Sequence, residues 1–180
     1  MTDYRVIVPE EHYQIIEFRQ EDLPGIGVIN KALCDFEPKV VFAWHLSLMI
    51  QFDGLADKGM PSMEEREVVD QFGDSLDAIF KGDDPDKPNA LFLARITWNK
   101  TRELIYRVYE PEPCHQYLTR MINEKTSPRP FDYRIDSDPE WELADWHLKA
   151  TKAEPGAAPN GGPATPPVLS RATQGPPSVS

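Results

Sequence analysis

From residue 40 the even positions Val40, Phe42, Trp44, Leu46, Leu48, Ile50 and Phe52 are all apolar, whereas the odd positions are mixed. A side-chain period of two held this long describes a β-strand with one face in a core and the other partly wet. The expectation is a strand over 40–52 whose even side chains lie beneath helices. His45, Ser47 and Gln51 then fall on the opposite face.

The segments around this strand supply its partners. Residues 13–19 and 25–30 read as a hairpin across the turn 21–24. Ser62 with Glu65 three positions on has the form of a capping box, the hydroxyl accepting a backbone N–H and the carboxylate reaching back. Val69, Phe72, Leu76, Ile79 and Phe80 follow on one helical stripe, closed by Gly82 and Pro85. Residues 91–98 and 102–109 read as strands joined at Asn99-Lys100-Thr101. Pro111 and Pro113 suit a helix start, and Cys114, Tyr117, Leu118, Met121 and Ile122 form its buried stripe. Pro128 and Pro130 end it. Phe131, Tyr133 and Ile135 then alternate with Asp132, Arg134 and Asp136 as a last strand. Asp138 as N-cap and Pro139 as first helical residue open a short final helix through Trp141 to Leu148.

The order from residue 40 is strand, helix, strand, strand, helix, strand. Right-handed crossovers place both helices on one face of an antiparallel sheet. The predicted fold is α+β: a ferredoxin-like βαββαβ sandwich with an N-terminal β-hairpin extension and a short C-terminal helix. Its other sheet face is left for solvent, a partner or the final helix. Residues 151–180 hold seven of the 18 prolines and four of the ten glycines, with few large apolar side chains. Such a stretch cannot bury enough surface to offset its ordering entropy, so a single domain over 1–150 and a disordered Pro/Gly/Ala-rich tail over 151–180 are expected.

Charge narrows the function classes. The chain has 19 Lys and Arg against 30 Asp and Glu, a formal charge of -11, which disfavours a nucleic-acid binder. The strand over 104–109 also lacks the Gly-Phe pattern of an RNA-recognition strand. No apolar leader follows Met1, and the longest apolar run is far short of a membrane span, so a cytoplasmic protein without membrane contact is expected. Cys34 and Cys114, 80 residues apart, read as two reduced, buried thiols. His12, His45, His115 and His147 have no metal-ligand spacing, and the chain shows no nucleophile–base set, so no metal, cofactor or catalytic residue is assigned.

Pro24-Gly25 with Asn30, the strand from Phe42, Trp98-Asn99 before the 106–109 strand, Phe131-x-Tyr133 and Asp138-x-x-Trp141 occur in this order. Together they resemble the bacterial domain-of-unknown-function family 695 over about residues 13–148. That family has no assigned reaction, so the resemblance implies no catalytic residue. The layout is also similar to the ribonuclease E regulator B family, small acidic proteins that act by binding an enzyme.

Placing the strands in register puts His45, Arg95, Arg107, Tyr109 and Arg134 on the open sheet face, where guanidinium forks could grip a carboxylate or phosphate. The competing expectation is that each arginine pairs with a neighbouring carboxylate. Trp146, five positions after Trp141, is a candidate partner anchor, with Trp141 the core residue. Acidic clusters at 64–65, 83–84, 110–112 and 136–142 suit steering toward a basic partner. The leading expectation is a non-enzymatic acidic regulatory module that binds a protein partner. The alternatives are a small anionic-ligand-binding protein or enzyme on the open face, and a toxin-neutralising immunity protein. An exposed edge strand could also pair two copies as a dimer.

Overall fold

The computed structural model describes residues 3–152; the expected tail lies outside them apart from Thr151 and Lys152. Six strands form one antiparallel sheet: β1 (Tyr13–Gln20), β2 (Leu23–Asn30), β3 (Trp44–Gln51), β4 (Ala90–Trp98), β5 (Thr101–Val108) and β6 (Phe131–Ser137). Their spatial order is β1-β2-β4-β5-β3-β6. Helices α1 (Met63–Lys81) and α2 (Pro111–Glu124) are the two crossovers, and α3 (Asp145–Ala150) is short. Both hairpin turns, Glu21-Asp22 and Asn99-Lys100, hold two successive residues at positive φ. That backbone hand matches the twist of the flanking strands.

The alternation of β3 sorts side chains as the sequence implies. Leu46, Leu48 and Ile50 are buried with Val69, Phe72, Leu76 and Phe80 of α1, and with Cys114, Leu118 and Met121 of α2. Fully burying a Leu or Phe contributes roughly 1.5–3 kcal/mol, so this layer is a principal source of stability. The strand is shorter than expected, however. Residues Lys39–Phe42 form a 3-10 turn and Gln51 ends the strand. Val40 is 62% exposed, while Phe42 is buried in a different core. The even-position pattern had run a strand together with a turn that feeds the opposite side of the sheet.

That opposite side is not open. The N-terminal segment with Tyr4, the turn carrying Leu33 and Phe36, Phe42, Trp141, Ala144 and Ala150 pack on it against Ile16, Phe18, Ile29, Leu93 and Ile105. Gly25 shows how close this layer is: a Cβ there would lie 2.2 Å from the Phe18 ring. The final helix also starts later than expected. Trp141 takes a left-handed conformation, φ 60°, and interrupts the segment, so a 3-10 turn over Glu142–Ala144 precedes α3.

The capping box is half realised. Ser62 Oγ accepts from the Glu65 amide at 3.2 Å. The Glu65 carboxylate does not return to Ser62. It accepts from the amides of Asp53 and Gly54 at 3.1 and 3.2 Å, and from Arg129 at 2.7 and 2.8 Å. Glu65 thereby ties the loop after β3 and the approach to β6 onto the start of α1. Its hydrogen bonds from Arg129 hold its pKa down at about 2. A carboxyl with a depressed folded pKa stabilises above the usual carboxylate range, and this contribution is lost as pH falls from about 4.5 toward 2. Glu65→Ala should therefore lower stability at neutral pH by about 3 kcal/mol. Urea melts at pH 7 and pH 2.5 should show the difference between parent and variant shrinking at the lower pH.

Candidate functional site

Five side chains were expected on an open sheet face; His45, Arg107, Tyr109 and Arg134 do lie on the face away from α1 and α2, though His45 and Arg107 are buried there, and Arg95 lies on the other face. Arg107 of β5 stands opposite His45 of β3, on the face away from α1 and α2. Both are buried. Arg107 Nη1 donates to Asp138 Oδ2 and to His45 Nδ1, each at 2.9 Å. Nη2 donates to the Asp138 carbonyl at 2.5 Å and the Phe42 carbonyl at 3.3 Å. The guanidinium carbon lies 4.8 Å from the centre of the Trp141 ring, a cation–π distance. Because a guanidinium only donates, His45 Nδ1 must accept, and its proton is fixed on Nε2.

The Asp138-x-x-Trp141 turn is built to close over this arginine. The Asp138 amide donates to the Ala43 carbonyl at 2.7 Å. Its carboxylate also accepts from the amides of Glu142 and Leu143 at 2.9 and 3.0 Å. Trp141 Nε1 donates to the carbonyls of Lys39 and Phe42, and its ring stacks on Phe36 at 5.5 Å. Burial lowers the Arg107 pKa to about 10, which leaves it charged at neutral pH. The cluster is a clasp in which both Nη groups of Arg107 find acceptors, while its buried Nε has no hydrogen-bond partner among the described residues.

The remaining candidates separate. A β-bulge between Phe92 and Ala94 shifts the register of β4, so Arg95 and Thr97 face α1 and not the presumed open side. There Arg95 Nη1 is 3.8 Å from Asp70, while Thr97 Oγ1 accepts from Arg102 Nε at 3.3 Å. Arg134 is half-buried and paired with Asp136 at 3.3 Å. Tyr109 is half-buried, edge-on to Tyr4 at 5.3 Å, and its hydroxyl donates to the Asp3 carbonyl. Trp146 packs edge-on against Phe18 at 5.6 Å and so does not stand out as an anchor. Cys114 is buried, its thiol pushed up to about 12 by burial, and Cys34 is half-buried; both are free.

A second concave feature went unnoticed in the sequence. A groove of about 250 Å³ runs between α1 and the β1–β2–β4 side of the sheet, lined by Val28, Asp70, Gly73, Asp74, Phe92 and Leu104 among others. Its one sequence signal is Gly73, a glycine in the interior of a helix, where it is unfavourable. The bulge that turns Arg95 toward this groove leaves no composition mark.

The family model described as a family of unknown function (DUF695) matches residues 14–146, and the chain belongs to that family. No curated protein and no solved structure matches it. The residues that carried the resemblance have structural tasks. Besides Gly25, Asp138 and Trp141, Asn30 Oδ1 accepts from the His12 and Ala32 amides and its Nδ2 donates to the Phe92 carbonyl. Trp98 Nε1 donates to the Gln20 carbonyl at 3.1 Å.

Two outcomes follow from the clasp. Arg107→Ala, which leaves Asp138 buried without its counter-charge, should cost about 3–5 kcal/mol in chemical denaturation. It should leave the thermal response to a phosphate, sulfate and dicarboxylate panel unchanged. The second outcome concerns pH. Burial, reinforced by Arg107, lowers the His45 pKa to about 3, and burial lowers that of buried His147 to about 4. The unfolded chain takes up these protons near pH 6.5 and the folded chain does not. Stability should thus fall as pH drops from about 6.5 to 4, by up to about 1.4 kcal/mol per pH unit for each histidine. Buried Glu103, whose pKa is raised by desolvation, opposes part of this loss. Urea midpoints across that range should decline less steeply in His45→Gln and His147→Leu.

Proposed function

We propose that this chain is a non-enzymatic regulatory module that binds a protein partner through an acidic surface. The observation that carries the reading is the fate of the arginines on the second sheet face. Arg107 is bonded to Asp138 and Arg134 to Asp136, so the side chains an anion would need are already engaged by carboxylates of the chain itself. Glu64, Asp83, Asp84, Glu110, Glu140 and Glu142 are exposed and make no ion pair among the described residues. Together with a formal charge of -11 they favour encounter with a basic protein.

We read the part from β3 to β6 as a ferredoxin-like sandwich. The strand order β4-β5-β3-β6 and the two crossover helices packed in one core support that reading. The hairpin β1–β2 is then an addition at the β4 edge. Such a fold hosts many activities and does not itself choose among them. The free thiols of Cys34 and Cys114 favour a reducing compartment, the cytoplasm. Among the described residues no helix is long and apolar enough to cross a membrane.

Affinity purification of the tagged full chain from native lysate at low salt tests the proposal. A basic protein should be recovered in stoichiometric amount and released on raising the salt, since surface charge attraction is screened. Recovery of no stoichiometric protein, with small molecules co-purifying instead, overturns it.

A further inference from the structure

We propose that the pocket around Glu103, on the second sheet face near the β4–β5 turn, receives the side chain of a single lysine presented by the partner protein. This rests on the interaction reading above and gives it a place and a chemistry.

The strand pairing builds the pocket. Glu103 of β5 stands between Ile96 of β4 and Met49 of β3, on the face away from α1 and α2. These three line a pocket of about 160 Å³ together with Phe18, Trp98 and Thr101 among others. Phe18 and Ile96 are buried, whereas Met49, Trp98 and Thr101 are half-buried. The volume is below that of the usual pocket for a drug-sized ligand and suits one side chain.

The observation that points to a cation is the state of the carboxyl group. Among the described residues the chain buries three carboxylates, Glu65, Glu103 and Asp138. Arg129 meets Glu65 and Arg107 meets Asp138. Glu103, 9% exposed, has no such partner. Its one hydrogen bond among the described residues comes from Ser47 Oγ, which donates to Oε1 at 2.5 Å. Burial raises its pKa, and only the Ser47 bond opposes the rise. A buried carboxyl group is costly until a cation meets it.

Neighbouring cations do not fill that place. Glu103 is the only charged residue lining the pocket. On the same face Arg107 is paired with Asp138 and Arg134 with Asp136, while Asp132, opposite Met49, is a further acid. Arg102, next along β5, is turned to the α1 side and pairs with Asp70. Lys100 of the adjoining turn is exposed and makes no ion pair among the described residues. Lys100 and Asp132 offset each other outside the pocket, and the unmet charge lies within it.

The form of the site favours lysine over arginine. Ser47 already holds one carboxylate oxygen, which spoils the two-pronged fit of a guanidinium, whereas a compact ammonium needs only the other. Thr101 Oγ1 donates its proton to the Trp98 carbonyl at 2.7 Å, which leaves its oxygen as an acceptor. Phe18, Met49, Ile96 and Trp98 suit the alkyl stem of lysine.

The test titrates the full chain with Nα-acetyl amides of lysine, arginine, norleucine and Nε-acetyl-lysine, and with n-butylamine, and maps amide chemical shifts. The lysine derivative should bind most tightly and shift Phe18, Ile96 and Thr101. Norleucine and Nε-acetyl-lysine keep the stem without the charge and should bind about tenfold or more weakly. Glu103→Gln, which keeps the size and a bond to Ser47, should lose lysine binding to the same extent. Its Tm should match or exceed the parent's, because a neutral amide replaces an unpaired buried carboxyl. Met49→Trp, which fills the pocket and spares the carboxylate, should lose binding alike and decides the matter should Glu103→Gln fail to fold. Glu140→Gln, which removes an exposed charge elsewhere, should change it little. In capture from lysate, both pocket variants should lose the basic protein that the parent recovers. Its retention by both, preference for the arginine derivative or n-butylamine, shifts that map elsewhere, or undiminished affinity in both variants overturns the pocket and leaves the interaction reading intact. So does absence of lysine binding when the parent still recovers a basic protein. If neither the lysine derivative nor a lysate protein binds, both fall.

Discussion

A buried guanidinium is tolerable only where its donors and its charge are met. Arg107 meets the charge requirement, and the needs of both Nη groups though not of Nε, with acceptors from three separate stretches of chain: the Phe42 carbonyl before β3, His45 within it, and Asp138 after β6. These converge only when β3, β5 and β6 are aligned as they are and the 138–141 turn has closed. Trp141 joins the same point, covering the guanidinium and donating to the Phe42 carbonyl. One residue thus couples the register of the central strands to the cover over the second sheet face. This specificity role is the best-attested use of a buried ion pair, whose net contribution to stability is otherwise modest.

The elements that local chemistry dictates were legible from the sequence, while contacts made across the sheet were not. The stripe of α1 and the alternation of Leu46, Leu48 and Ile50 can be read because each side chain's direction follows from its position along its own element. Arg95 could not be placed that way. Its face depends on an extra residue inserted at the β4 bulge, and a one-residue slip exchanges the faces of everything beyond it. Glu65 is a similar case. Its spacing from Ser62 is that of a capping box, yet Arg129, 64 residues away, offers a charged partner that an isolated helix start lacks. Phe42 shares the parity of β3, but its ring belongs with Tyr4 and Phe36 on the other side. Periodicity reports alternation, not which core receives each side chain.

The family match follows the same logic. Gly25, Asn30, Trp98, Asp138 and Trp141 either admit a neighbouring ring or terminate backbone that strands leave unpaired. A buried backbone group without a partner is costly, so such residues mark an architecture whatever surface it carries. Membership in the family therefore speaks first to how the chain closes on itself. Activity has to be sought in positions that the closure does not use.

The coverage of the two sheet faces shows how unevenly that closure is distributed. The sheet has six strands, whereas helices α1 and α2 pack on the part built from β3 to β6. On the second face the N-terminal segment, the turns and α3 pack with residues of β1, β2, β4 and β5. The asymmetry comes from the added hairpin: its lower side gains a core through Ile16, Phe18 and Ile29, while Ile15 and Ile26 on the upper side stay exposed beyond α1. That upper side also carries exposed Glu17 and Arg19, as the solvated face of an antiparallel sheet ordinarily does.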